Sequence, residues 1–177
     1  MLKENKLIRK SCCFTGPRPK NFPWKSEDER YIKPLCTRLE TEIRRAVENG
    51  YQHFISGMAI GVDLYAARIV LKIQAEKPNS NITLEAAIPF PSQPAKWTNA
   101  QKSEYFSVLE QADTKTIIGQ APTTENFNKR NDYMIDNSEM LIAVKPNKPS
   151  GTQRTLAYAQ KENLEIVIID PMEFFDV

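Results

Sequence analysis

The chain has 177 residues, enough to enclose one continuous apolar core between a sheet and its helices, and one domain spanning residues 1–177 is expected. Apolar residues at 41% and charged residues at 26% exclude a disordered chain. A formal net charge of +2 excludes a large basic field that grips nucleic acid without sequence preference, while leaving room for a local patch.

The opening Met1 to Lys10 alternates charged residues with Leu2, Leu7 and Ile8 and lacks the apolar stretch of a secretion signal. No apolar run reaches the roughly 18 residues that span a bilayer, so no membrane partner is expected and the cytoplasm is the expected location. The first apolar run, Ser11 to Phe14, reads as a strand that breaks into Thr15-Gly16-Pro17-Arg18-Pro19. Cys12 and Cys13 lie in it and read as packing residues. With Cys36 they make an odd count without CxxC spacing, which indicates neither a disulfide framework nor a zinc site. Ser26-Glu27-Asp28-Glu29 fits a capping box, and the helix after it carries an apolar stripe of Ile32, Leu35, Cys36, Leu39, Ile43, Ala46 and Val47 before Asn49-Gly50 stops it.

His53 to Ser56 reads as the second strand. Val62 to Lys77 reads as the second helix, with a buried stripe of Ala66, Ile69, Val70 and Ile73 and an end at Pro78-Asn79. A third strand over Ile82 to Ile88 leads through a proline-rich loop to a helix from about Asn99 to Ala112. A fourth strand, Thr114 to Ile118, precedes a loop and a helix over Phe127 to Asn137. Met140 to Val144 is almost wholly apolar, which suits a central strand; Thr152 to Asn163 is a helix and Glu165 to Ile169 the last strand. The alternation predicts an α/β fold, a three-layer, Rossmann-like, doubly wound and mostly parallel sheet of about six strands.

In such a sheet the loops at the carboxyl ends of the strands converge on a crevice. Ser56-Gly57-Met58-Ala59-Ile60-Gly61-Val62-Asp63 turns a strand into a helix through two glycines, which serves either a tight turn or the close approach of backbone amides to an oxyanion. Pro149-Ser150-Gly151-Thr152 is a second strand-to-helix turn whose hydroxyls either cap the helix or donate to a phosphate. Arg18, between two prolines, is either a surface arginine or a guanidinium held ready for a phosphate. Lys129-Arg130-Asn131-Asp132 places positive charge at an expected helix start, a conflict that an anion would relieve; the other reading is a solvated basic turn. Asp63 either stabilises the start of its helix or accepts from ribose hydroxyls. His53, the single histidine, is expected at the opposite end of the sheet, away from catalysis. No Ser/His/Asp set, carboxylate pair or metal-ligand cluster stands out. No catalytic residue or metal is therefore assigned and no cofactor is required.

Four segments in order, Thr15-Gly16-Pro17-Arg18-Pro19, Ser56-Gly57 to Asp63 with Ala66-Ala67, Arg130-Asn131 to Asp136, and Ser150-Gly151-Thr152, resemble the YpsA-like family of the SLOG superfamily over nearly the whole chain. That superfamily of Rossmann-like proteins includes the DNA-processing protein DprA (Smf) and the LOG phosphoribohydrolases. The resemblance implies binding or sensing of a nucleotide-derived, phosphate-bearing small molecule such as ADP-ribose or NAD. Thr15, Gly16, Arg18, Ser56, Gly57, Gly61, Asp63, Arg130, Asn131, Ser150, Gly151 and Thr152 would form its site. LOG enzymes carry a catalytic glutamate three residues after their Gly-Thr pair, and Thr155 stands at that position here, which leaves enzymatic activity open. A LOG-like nucleotide N-glycosidic hydrolase is the first alternative and would need Asp63 or Asp132 as its carboxylate. A DprA-like single-stranded DNA-binding module is the second. It relies on surface basic residues and dimerisation, so nucleic acid is not the expected partner and a homodimer is left open.

Overall fold

The computed structural model describes residues 9–78 and 80–175. Residues 1–8, on which the reading of the chain's opening fell, and Asn79, part of the turn expected to end the second helix, lie outside the described residues. Strands β1 (Lys10–Thr15), β2 (Tyr51–Ser56), β3 (Thr83–Ile88), β4 (Thr114–Ile117), β5 (Met140–Val144) and β6 (Glu165–Ile169) alternate with helices α1 (Glu29–Glu48), α2 (Val62–Glu76), α3 (Asn99–Gln111), α4 (Thr124–Asp136) and α5 (Gly151–Lys161). Short 3-10 turns at Pro19–Asn21 and Pro171–Phe174 complete the chain. The strands form one sheet in the order β4-β3-β2-β1-β5-β6, and every neighbouring pair is parallel. Successive strands build outward from β1 as far as β4, and β5 then returns to the other side of β1. The order therefore reverses between β1 and β5, and it is there that a crevice opens at the carboxyl ends of the strands.

The pleat sorts the core into two layers. Cys12, Phe14, Phe54, Leu84 and Ile142 pack under α1, α2 and α3. Cys13, Ile55, Ala87, Leu141 and Ala143 face the other way, against Met134, Ile135 and Ala159 of α4 and α5. Adjacent cysteines thus belong to opposite layers, both fully buried, and burial pushes the Cys13 thiol up to about 12, so they serve as packing residues. β5 is buried along its whole length and paired on both sides.

Two helix starts differ from the sequence expectation. Asp28, not Ser26, caps α1, accepting from the Arg30 amide at 3.0 Å; the acidic residue two positions nearer the apolar stripe wins because its carboxylate also takes the Arg30 guanidinium at 2.6 Å. α4 begins at Thr124 rather than Phe127, with the Thr123 hydroxyl accepting from the Asn126 amide at 3.2 Å. The segment Lys129–Asp132 is therefore in mid-helix, and the conflict with a helix N-terminus argued from the sequence does not arise.

A buried polar network docks α4 on the sheet. Glu85 of β3 accepts from Thr116 Oγ1 and Tyr133 OH, each at 2.7 Å, and its second oxygen lies 2.8 Å from His53 Nε2; His53 Nδ1 lies 2.9 Å from Thr83 Oγ1. Burial opposes ionisation of Glu85, and the bonds from His53, Thr116 and Tyr133 outweigh it, holding the carboxyl at about 2. A carboxyl depressed in the folded state stabilises fully above its ordinary value near 4.5 and loses that contribution as the pH falls from there through about 2. Glu85→Gln is expected to cost about 2–4 kcal/mol in denaturant unfolding at pH 7 and clearly less at pH 3; an equal cost at both would contradict this role.

Candidate functional site

The crevice between β1 and β5 holds a pocket of about 250 Å³. Of the twelve residues expected from the sequence, nine line it: Thr15, Gly16 and Arg18 after β1, Asp63 at the start of α2, Arg130 and Asn131 of α4, and Ser150, Gly151 and Thr152 at the start of α5. Ser56, Gly57 and Gly61 do not line it, and each has a different task.

Gly61 has φ +98°, a backbone conformation that L side chains rarely adopt, and a Cβ there would stand 2.9 Å from the carbonyl oxygen of Pro17. Its bareness lets the loop after β2 press against the loop after β1. Gly57 seats an arginine. Its carbonyl accepts from Arg130 Nη1 and, at 3.2 Å, from Gln93 Nε2, and a Cβ at Gly57 would lie 2.5 Å from Arg130 Nη1. Ser56 Oγ donates to the Asp63 carbonyl at 2.9 Å and accepts from the Met58 amide at 3.2 Å, while the Ala59 amide donates to Asp63 Oδ2 at 3.4 Å. The Met58 and Ala59 amides of this turn are thus taken by the protein's own oxygens. Of the two glycine turns expected to cradle one anion, the turn after β2 also brings the Asp63 carboxylate to the pocket.

The turn after β5 is the open one. Ser150, extended at φ −158°, stands at the N-cap of α5, yet its side chain makes no capping bond, and its buried Oγ has no partner among the described residues. Its carbonyl takes the Gln153 amide at 3.1 Å, while the amides of Gly151 and Thr152 donate to no group among the described residues. Two free amides at a helix start, with its partial positive charge and an unpaired hydroxyl beside them, form a seat for an anion. Thr155, in place of a LOG glutamate, is buried and donates to the Gly151 carbonyl at 3.0 Å, so it reinforces the same turn.

Two guanidiniums face this seat. Arg130 is only 5% exposed and donates through Nε to Asn131 Oδ1 at 2.8 Å as well as to Gly57. Arg18 is exposed, and its guanidinium makes no hydrogen bond or ion pair among the described residues. Their guanidinium carbons lie 5.9 Å and 5.8 Å from the centre of the Phe127 ring, which Phe90 meets edge-on at 5.0 Å. Burial lowers the affinity of Arg130 for its proton, Asp63 restores part of it, and Arg18 opposes that. Burial likewise raises the Asp63 carboxyl, against the pull of Arg130, the Ala59 amide and Arg18. Among the described residues Asp63 is the one acidic residue lining the pocket. The other carboxylate expected as an alternative, Asp132, turns away and takes both nitrogens of Arg154, at 2.7 and 2.9 Å, so it is corrected to a tie between α4 and α5.

Sequence reasoning missed Phe127, Asn128 and Met134 as lining residues. Phe127 and Met134 lie with Arg130 and Asn131 at the spacing 127, 130, 131, 134, one face of a helix, a signal present within the helix expected over Phe127 to Asn137. Among the described residues no group of three or more His, Cys, Asp or Glu is placed to hold a metal, and no helix is long and apolar enough to cross a membrane.

The profile of the family described as YspA SLOG (YpsA) matches residues 12–174. A UPF0398 protein of Halalkalibacterium halodurans is 27% identical over 165 residues, covering 89% of this chain and 86% of that protein. A UPF0398 protein of Bacillus thuringiensis is 28% identical over 159 residues, covering 89% and 85%. Among solved structures, the DNA-processing protein A of Helicobacter pylori is similar with TM-score 0.60 at 19% identity, over 96% of this chain and 74% of that one. The Streptococcus pneumoniae DprA gives 0.58 at 16%, over 90% of this chain and half of that one. At such identities the likeness is one of fold.

The glycines separate in a stability measurement. Gly61→Ala is expected to cost about 1–3 kcal/mol, from its φ and its contact with Pro17. Gly151→Ala, whose Cβ meets nothing within 4 Å, is expected to leave the melting temperature unchanged or to raise it. Equal losses for the two would contradict these roles.

Proposed function

Because the chain belongs to the YspA SLOG family, we propose that it binds a nucleotide-derived, phosphate-bearing ligand at the carboxyl edge of its sheet. The observation that carries this reading is the start of α5, where two unpaired amides and the unpaired Ser150 hydroxyl face the same pocket as Arg18 and Arg130. Two cations against one lining carboxylate leave the pocket with an excess of positive charge, which a phosphate offsets with charge-assisted bonds. Arg18 is free to move onto it; Arg130 is already fixed. ADP-ribose, NAD and nucleoside monophosphates share this phosphate chemistry and are the ligands to try. Hydrolysis of an N-glycosidic bond by the same pocket would rest on Asp63 alone.

One observation favours a second reading. Lys20, Lys25, Lys96 and Lys148 lie exposed in the segments that follow β1, β3 and β5, and none has an ion-pair partner among the described residues. The Helicobacter pylori neighbour is described as binding single-stranded DNA. A strand laid across these lysines would bind with strong salt dependence because its counterions are released.

Calorimetric titration with AMP, ADP-ribose and NAD is expected to give saturable binding by at least one of them. Arg18→Ala is expected to weaken it about tenfold, or about 1.4 kcal/mol, without changing the melting temperature. No binding by any of the three at millimolar concentration would overturn the nucleotide reading. Gel shifts of a single strand at increasing salt test the second reading, and no retention at low salt would remove it.

A further inference from the structure

Asp63 is 6% exposed, lines the pocket and is short of donors. A carboxylate offers about four acceptor sites. Here Oδ2 receives one long bond, 3.4 Å from the Ala59 amide, and Oδ1 receives none among the described residues. Arg130, although close, is no direct partner: no nitrogen of its guanidinium lies within 4 Å of the carboxylate among the described residues, and its bonds go to Gly57 and Asn131. Oδ1 is thus the open acceptor of a carboxylate that lines the pocket, where a donor carried by a ligand completes its bonding.

The chemistry of that donor follows from position. The pocket, about 250 Å³, is smaller than the roughly 300–1,000 Å³ that encloses a drug-sized ligand, so it takes a phosphate and the group bonded to it and leaves the rest of a nucleotide at its mouth. In a nucleotide that group is the sugar, whose hydroxyls are neutral donors. A second phosphate beside Asp63 would bring like charges together.

We infer that Asp63 accepts a hydrogen bond from a sugar hydroxyl of the ligand, and that the pocket thereby selects a ribose phosphate with free hydroxyls. This inference rests on the nucleotide reading of the pocket. It also makes a prediction that the nucleotide reading alone does not: a sugar without hydroxyls presents no donor to Asp63, and a site built to bond a hydroxyl discriminates strongly against the analogue that lacks it.

The test compares AMP with 2′,3′-dideoxyadenosine 5′-monophosphate by calorimetry on the whole protein, then repeats both with Asp63→Asn. AMP is expected to bind at least tenfold more tightly than the dideoxy compound. In Asp63→Asn the two affinities are expected to converge because AMP weakens while the dideoxy compound stays within about threefold of its value for the unaltered protein, a pattern that a general loss of structure does not produce. Affinities within threefold of each other in the unaltered protein would overturn the role of Asp63 and leave the nucleotide reading standing. Binding of neither compound would overturn both. The first comparison needs no variant, so it decides the matter even if Asp63→Asn fails to fold.

Discussion

A guanidinium buried beneath the carboxyl edge of the sheet governs how this site is built. Arg130 has lost nearly all contact with water, and a buried cation is tolerated only where fixed acceptors replace the solvent. The Gly57 carbonyl is the main one, and it is reachable because residue 57 has no side chain: a Cβ there would meet Arg130 Nη1 and Asp63 Oδ2. Gln93, reaching in from the loop after β3, bonds the same carbonyl and helps to hold it in place. The loops after β2 and β3 and helix α4 are thus tied at one atom.

The position of α4 brings much of the pocket with it. Phe127, Asn131 and Met134 share a face with Arg130, and one turn further along Tyr133 reaches the sheet at Glu85. On its outer side α4 is joined to α5 by Arg154–Asp132 and by Tyr158 on Asp136, at 2.8 Å. The start of α5 therefore faces the arginines across a crevice whose two walls are fastened to each other. Within that frame the two glycine turns have diverged in role. The turn after β2 commits the Met58 and Ala59 amides to Ser56 and Asp63 and brings a carboxylate to the pocket, whereas the turn after β5 brings no carboxylate and leaves the Gly151 and Thr152 amides and a hydroxyl unpaired among the described residues. One end of the pocket attracts an anion and the other a hydrogen-bond donor, a polarity that suits a phosphate joined to a sugar.

Much of this was legible in the sequence because burial imposes periodicity. β5 and β6 have the ends that their apolar runs predict, and the stripes of α1 and α2 are the buried ones. The crevice residues were legible because strand-to-helix turns rich in small residues converge at one edge of a parallel sheet. What escaped depends on contacts between segments far apart in the chain. Whether an amide is free or taken is decided by a side chain such as Ser56 folding back, which no spacing reports. That Gly57 makes room for an arginine 73 residues later, or that His53 and Glu85 share a buried network, follows from strand register and helix placement rather than from local pattern. The start of α4 was misplaced because Thr123 carries the cap while the first strongly apolar residue comes a turn later.

The central claim is that the anion seat is the start of α5 and not the turn after β2. Backbone amide resonances followed by NMR during titration with inorganic phosphate test it most directly, because each amide reports on its own surroundings. The account predicts that Gly151 and Thr152 shift progressively and saturate while Met58 and Ala59, already bonded within the protein, stay in place. Shifts at Met58 and Ala59 with none at Gly151 and Thr152 would contradict it.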